Sequence, residues 1–160
     1  METLTTFERA IRLQKVDLFS GLATDQLALV ASIAGQIECK AGAALFEENH
    51  PPGSLYVLLE GRVEMSREGK AMFTVGADET IGNWAFFDDQ PSVVSAKVLE
   101  DTWLLRIDRE DFFDLLADHA EITRNLFQAL FKRVRSLLTA GLERPQSTEP
   151  SPTENPPPSR

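Results

Sequence analysis

Hydrophobic positions in this chain repeat with one period near its two ends and another in its middle. In "TTFERAIRLQKV", Phe7, Ala10, Ile11 and Leu13 recur at helical spacing, and Thr5 or Thr6 stands where an N-cap belongs. "DLFSGL" breaks the pattern at Ser20-Gly21. "TDQLALVASIAGQ" restores it, with Thr24 as the expected cap, Leu27, Val30 and Ile33 as the apolar stripe, and Gly35 as the stop. From Ile37 to Ile107 the period falls to two. "GAALFEE", "GSLYVLLEG", "RVEMSREGKAMFTV", "PSVVSAKV" and "DTWLLRID" read as strands, and "SREGKA" as a hairpin turn in which Gly69 supplies the positive φ. Gly42, Gly53, Gly61, Gly69 and Gly76 punctuate this region about once per strand. Some seven or eight short strands at this spacing predict a barrel or sandwich.

Helical spacing returns after Ile107. Asp108 is the expected cap of "REDFFDLLA", and Asp118 that of "HAEITRNLFQALFKRVRSLLTAG", which Gly141 should end. In the last helix Phe127, Leu130, Val134 and Leu137 fall at 3-4-3 spacing, and Ile122, Leu126, Phe131 and Leu138 widen the stripe. Two readings stay open: the helix packs on its own domain, or it serves a homodimer or a neighbouring domain through Phe127, Leu130, Val134 and Leu137. The following "RPQSTEPSPTENPPPSR" has no large apolar residue and predicts a disordered linker or tail.

Charge and composition narrow the functional classes. With 16 basic against 25 acidic residues, the formal charge of −9 opposes nucleic acid and anionic lipid. The single cysteine, Cys39, excludes an internal disulfide; it reads as a small buried side chain on a strand, with a reducing cytoplasm as the expected compartment. No apolar run approaches a membrane span, so no direct membrane insertion is expected, and the N-terminus lacks a signal pattern. His50 lies beside two prolines and His119 near a helix start, with no ligand spacing to a second metal-binding residue. The acidic pairs at 47–48 and 88–89 are turn residues, not a separated acid and base. With no Walker loop or nucleophile elbow, neither catalytic residue, metal nor cofactor is expected.

Several stretches, in order, carry a family likeness: "LFSGLATDQLALVA"; "GAALFEEN" followed by "GSLYVLLEGRVEM", with Gly42, Glu48, Tyr56, Gly61 and Val63 at the matching positions; and "IDREDFFDLL" as a strand exit into a hinge helix. Over roughly residues 8 to 140 the chain resembles the cyclic nucleotide-binding domain family. The resemblance implies a mainly β fold, a double-stranded β-helix or jelly-roll of about eight strands, with N-terminal helices, a hinge helix and a long C-terminal helix. It divides the chain into a helical segment (1–35), a β-roll (36–108), C-terminal helices (109–141) and a tail (142–160). It implies a non-catalytic regulatory role. Regulators of the catabolite-activator type share this roll and carry a helix-turn-helix after the long helix; none is legible in these residues, so no nucleic-acid partner is expected.

The family's phosphate cassette reads roughly F-G-E-L-A-L, four variable residues, then P-R-A-A/T. Here Ile81-Gly82-Asn83-Trp84-Ala85-Phe86, four residues, then Pro91-Ser92-Val93-Val94 match it without a gap. By resemblance the ligand-binding residues are Gly82, Asn83, Trp84, Ala85, Ser92, Val93 and Val94. Asn83 replaces the glutamate that meets the ribose 2′-hydroxyl, and Ser92 the arginine that pairs with the phosphate. Losing such a charge-assisted contact costs a few kcal/mol. Lys97, five residues along the same strand, should face away from Ser92, and Arg62, Arg67 and Arg106 read as surface charge. Gly82 and the amides after it could still form an anion nest. Trp84, Phe86 and Phe87 serve either as cavity lining or as core. The ligand is then a cyclic nucleotide held weakly or an unidentified, less charged small molecule.

Overall fold

The computed structural model describes residues 1–51 and 53–142, Trp84 by its backbone. Helix α1 (Thr6–Gln14) starts with a reciprocal cap. The Thr5 hydroxyl accepts from the Glu8 amide at 3.2 Å, and Glu8 accepts from the Thr5 amide at 2.8 Å. Only Ala10 and Leu13 of the expected stripe are buried; Phe7 and Ile11 are exposed, because the neighbouring helix covers one narrow edge. After a 3-10 turn at Asp17–Phe19, α2 (Thr24–Ile33) is capped one residue earlier than expected. Ala23 is the N-cap, and its amide donates to Gln26 Oε1 at 3.0 Å. Gly35 does not stop this helix. Ala34 already has extended geometry and is buried opposite Ile107, so strand pairing ends the helix.

Eight antiparallel strands follow: β1 (Ala34–Cys39), β2 (Ala44–Phe46), β3 (Ser54–Glu60), β4 (Val63–Arg67), β5 (Lys70–Val75), β6 (Thr80–Ile81), β7 (Ser95–Val98) and β8 (Thr102–Asp108). They form two four-stranded sheets, β1-β8-β3-β6 and β2-β7-β4-β5, which is the expected jelly-roll. At the β4–β5 turn Glu68 as well as Gly69 has positive φ, 52° and 78°, as a type I′ turn requires. The period of two sorts β3 and β8 into two cores. Leu55, Val57, Leu105 and Ile107 face the helices and pack with Leu13, Phe19, Val30, Phe112 and Ile122. Leu58 and Leu104 face the other sheet and pack with Val63, Met65, Ala96 and Val98. Cys39 is half-buried against this second core, and burial raises its thiol pKa.

Helices α4 (Arg109–Asp118) and α5 (Ala120–Leu142) complete the described chain. Asp108 occupies the N-cap position of α4 without a capping bond, because its carboxylate accepts from the Ser54 hydroxyl at 2.8 Å. Asp118 is the last residue of α4 and caps nothing; Gly141 lies inside α5. Of the expected tail only Leu142 is described, and 143–160 lie outside the described residues. The long helix does not pack wholly on its own domain. Ile122 is buried and Asn125 donates to Gln26 at 2.7 Å, but Phe127, Leu130, Phe131, Val134, Leu137 and Leu138 are exposed. No described helix is long and apolar enough to cross a membrane.

Candidate ligand site

Strand β6 delivers the cassette to β3, with Tyr56 opposite Ile81. Gly82 then turns left-handed, φ 87° and ψ 3°. A Cβ there would lie 2.8 Å from the Ser54 carbonyl oxygen, so only glycine lets the cassette lie this close to β3. The short helix α3 (Asn83–Asp88) follows and is anchored by Phe86. That ring is fully buried, 5.3 Å from Phe112 and 6.0 Å from Phe113 between centroids. Phe87 is partly exposed and meets Phe112 edge-on at 5.9 Å. Both rings belong to the α3–α4 contact and not to a cavity wall.

The cassette leaves along the β2–β3 loop. The Ser92 amide donates to the His50 carbonyl at 3.0 Å, and the Asn49 amide donates to the Ser92 carbonyl at 2.7 Å. The Ser92 hydroxyl donates to the Val94 carbonyl at 2.7 Å. Between cassette and sheet lies a cavity of 410 Å³. Of the seven residues expected in the site, Gly82, Ala85 and Ser92 line it. Asn83 is not among the residues that line it: its Nδ2 donates to Thr80 Oγ1 at 2.8 Å, and its Oδ1 is buried without a partner. Val93 is exposed and Val94 packs into the inter-sheet core, so neither reaches the cavity. The Trp84 side chain lies outside what is described.

The rest of the wall comes from β2 and β3, which the sequence marked only as scaffold. Phe46, Ser54 and Tyr56 line the cavity, together with Glu47 and His50 from the intervening loop. The Phe46 and Tyr56 rings stack, 6.5 Å apart and 24° from parallel. Burial raises the Tyr56 phenol pKa, and the Arg106 charge partly opposes this. A signal existed: Ser54 and Tyr56 share a strand face by parity, and Tyr56 sits at a family position.

No lysine or arginine stands among the described lining residues. His50 is mostly exposed, with Nε2 3.8 Å from Glu47 Oε2. Arg106 is opposite Tyr56 in the β3–β8 register and so shares its sheet face, but its Nε lies 3.3 Å from Asp108 Oδ1. Arg62 lies 3.5 Å from Glu100, and Lys97 is exposed on β7. Glu48 is tied to the hairpin tip, accepting from the Glu68 amide at 2.9 Å. Among the described residues no group of three metal-ligating side chains converges.

Residues 36–119 match the family described as "Cyclic nucleotide-binding domain". Over 128 residues the chain is 23% identical to the CRP-like cAMP-activated global transcriptional regulator of Mycobacterium tuberculosis, a stretch covering 77% of this chain and 57% of that protein. Over 123 residues it is 28% identical to the cyclic AMP receptor protein of Thermus thermophilus, covering 74% and 57%. The chain therefore spans little more than half the length of these curated relatives. Among solved structures, the N-terminal domain of a transcriptional regulator from Streptomyces coelicolor A3(2) matches with a TM-score of 0.73 at 27% identity, covering 79% of this chain and 94% of that one.

Proposed function

The chain belongs to the cyclic nucleotide-binding domain family, and on that premise we propose that it is a non-catalytic regulatory module whose cassette holds cyclic AMP and cyclic GMP weakly or not at all. One observation carries this reading. At the position of the family's phosphate-pairing arginine stands Ser92, and its hydroxyl is already donated to the Val94 carbonyl. A phosphate in the cavity would meet no arginine or lysine among the described lining residues. The loss of such a charge-assisted contact weakens binding by a factor of about a hundred or more. The module then acts through α4 and α5, against a second copy or a neighbouring domain.

A second reading has its own support. Gly82 is left-handed and α3 starts immediately after it, so first-turn amides could hold a phosphate without a side-chain cation. Calorimetric titration with cyclic AMP and cyclic GMP separates the two. We expect Kd of about 100 μM or above. Low-micromolar binding would overturn the first reading in favour of the second.

A further inference from the structure

Two neighbouring residues of the cavity wall are bonded to the start of α4. Gly53 and Ser54 both line the cavity. The Gly53 carbonyl accepts from the Arg109 amide at 3.3 Å, and the Ser54 hydroxyl donates to Asp108 Oδ1 at 2.8 Å. Ser54 and Asp108 are direct partners in the β3–β8 register, so their side chains share a sheet face. Asp108 is also the N-cap residue of α4. Its backbone, φ −73° and ψ 141°, already has the extended geometry from which a side chain caps a helix. Aspartate is among the strongest caps, because its carboxylate accepts from the second or third helix amide and meets the positive end of the helix dipole. Here those amides belong to Glu110 and Asp111, and the Asp108 side chain makes no capping bond to them. Its carboxylate is turned to Ser54 instead. Arg106 Nε lies 3.3 Å from the same Oδ1, but both side chains of that pair are about half exposed, so the pair restrains the carboxylate little. The Ser54 hydroxyl is the main group that keeps the cap off its helix.

We propose that Asp108 is a two-position switch between the cavity and α4. With the Ser54 hydroxyl bonded to it, the carboxylate stays on the sheet. When a ligand oxygen in the cavity accepts that hydroxyl, the carboxylate turns onto the amides of Glu110 and Asp111 and tightens the first turn of α4. A hydroxyl has one hydrogen to donate, so the two positions exclude each other. This rests on the cavity being a ligand site and on regulation through α4 and α5, as the proposed function has it. Residue-resolved amide exchange of the full chain tests the switch, with β3 and β8 amides as the reference. Ser54→Ala removes the restraint without any ligand, and exchange at Glu110 and Asp111 should slow about three- to tenfold, the size of one cap. Adding Asp108→Ala should abolish the slowing. Melting curves establish that each variant folds; Ser54→Cys, near-isosteric and a weak donor, replaces Ser54→Ala if that variant does not. Cyclic AMP at millimolar concentration should slow the same two amides of the wild type wherever titration shows heat. Unchanged or faster exchange in Ser54→Ala overturns the switch, since losing a merely structural bond loosens the turn. Slowing that survives Asp108→Ala overturns it too, as does titration heat from cyclic AMP without slowing. Low-micromolar binding of cyclic AMP would overturn the weak-binding reading alone. With no heat at all, that reading stands and the Ser54→Ala comparison decides the switch.

Discussion

An alanine at position 82 would place its Cβ 2.8 Å from the Ser54 carbonyl oxygen, on a backbone whose φ is 87°. Strain and clash fall on the same residue, so Gly82→Ala should destabilise the domain by roughly 1–3 kcal/mol. Urea melts check this, and an unchanged midpoint would mean that the cassette does not lie against β3. Asn83 and Ser92 are the other decisive residues. Ser92→Arg with Asn83→Glu should raise affinity for a cyclic nucleotide more than either change alone, because both would contact one ligand. Additive or absent gains, read by titration, would show that the two positions do not share a ligand. These substitutions were legible in the sequence because the cassette is one continuous stretch with a fixed spacing. Glu47 and His50 were not legible as a wall. They come from another part of the chain, and no local pattern tells which loop a β-turn of the roll will press against the cassette.

At the scale of elements, α3 and α4 are joined by one arginine. Arg109 Nε donates to the Phe86 carbonyl at 3.0 Å, its guanidinium lies 3.5 Å from Asp89, and it sits 4.8 Å above the Phe113 ring. The cassette helix is too short to hold its own geometry, so its C-terminal end depends on this contact and on the Phe86 anchor. Arg109→Ala should cost about 1–3 kcal/mol, from one charge-assisted bond and one cation–π contact. Amide exchange in α3 should rise more than in β3 or β8. Equal exchange across the three would place the link elsewhere. Periodicity predicted these helices well and their ends poorly. Gly35 reads as a stop but sits in β1, since pairing of Ala34 with Ile107 ends α2 first. Asp118 reads as a cap but finishes α4, since the chain turns only at His119. Caps are weak local preferences, and tertiary pairing overrides them.

At the scale of the molecule, the inner edge of α5 and its apolar seam point in different directions. Ile122, Asn125 and Arg133 meet the domain: Ile122 is buried, Asn125 bonds Gln26, and Arg133 lies 3.5 Å from Asp17. Phe127, Leu130, Val134 and Leu137 lie about a third of a turn away and stay exposed, with Phe131 stacked on Phe127 at 6.4 Å. Hydrophobic spacing alone could not say which stripe would be covered, because both recur at helical period. A contiguous apolar seam of this length on a helix is a surface that a second copy covers at little cost in strain, knob against hole at 3-4-3 spacing. The expected state is therefore a symmetric dimer through α5. Leu130→Glu with Leu137→Glu should give a monomer by light scattering while the melting temperature of the roll barely moves, since neither leucine contributes to the domain's own core. A wild type that scatters as a monomer at high concentration would reject the dimer. A double variant that unfolds would instead make the seam part of the fold.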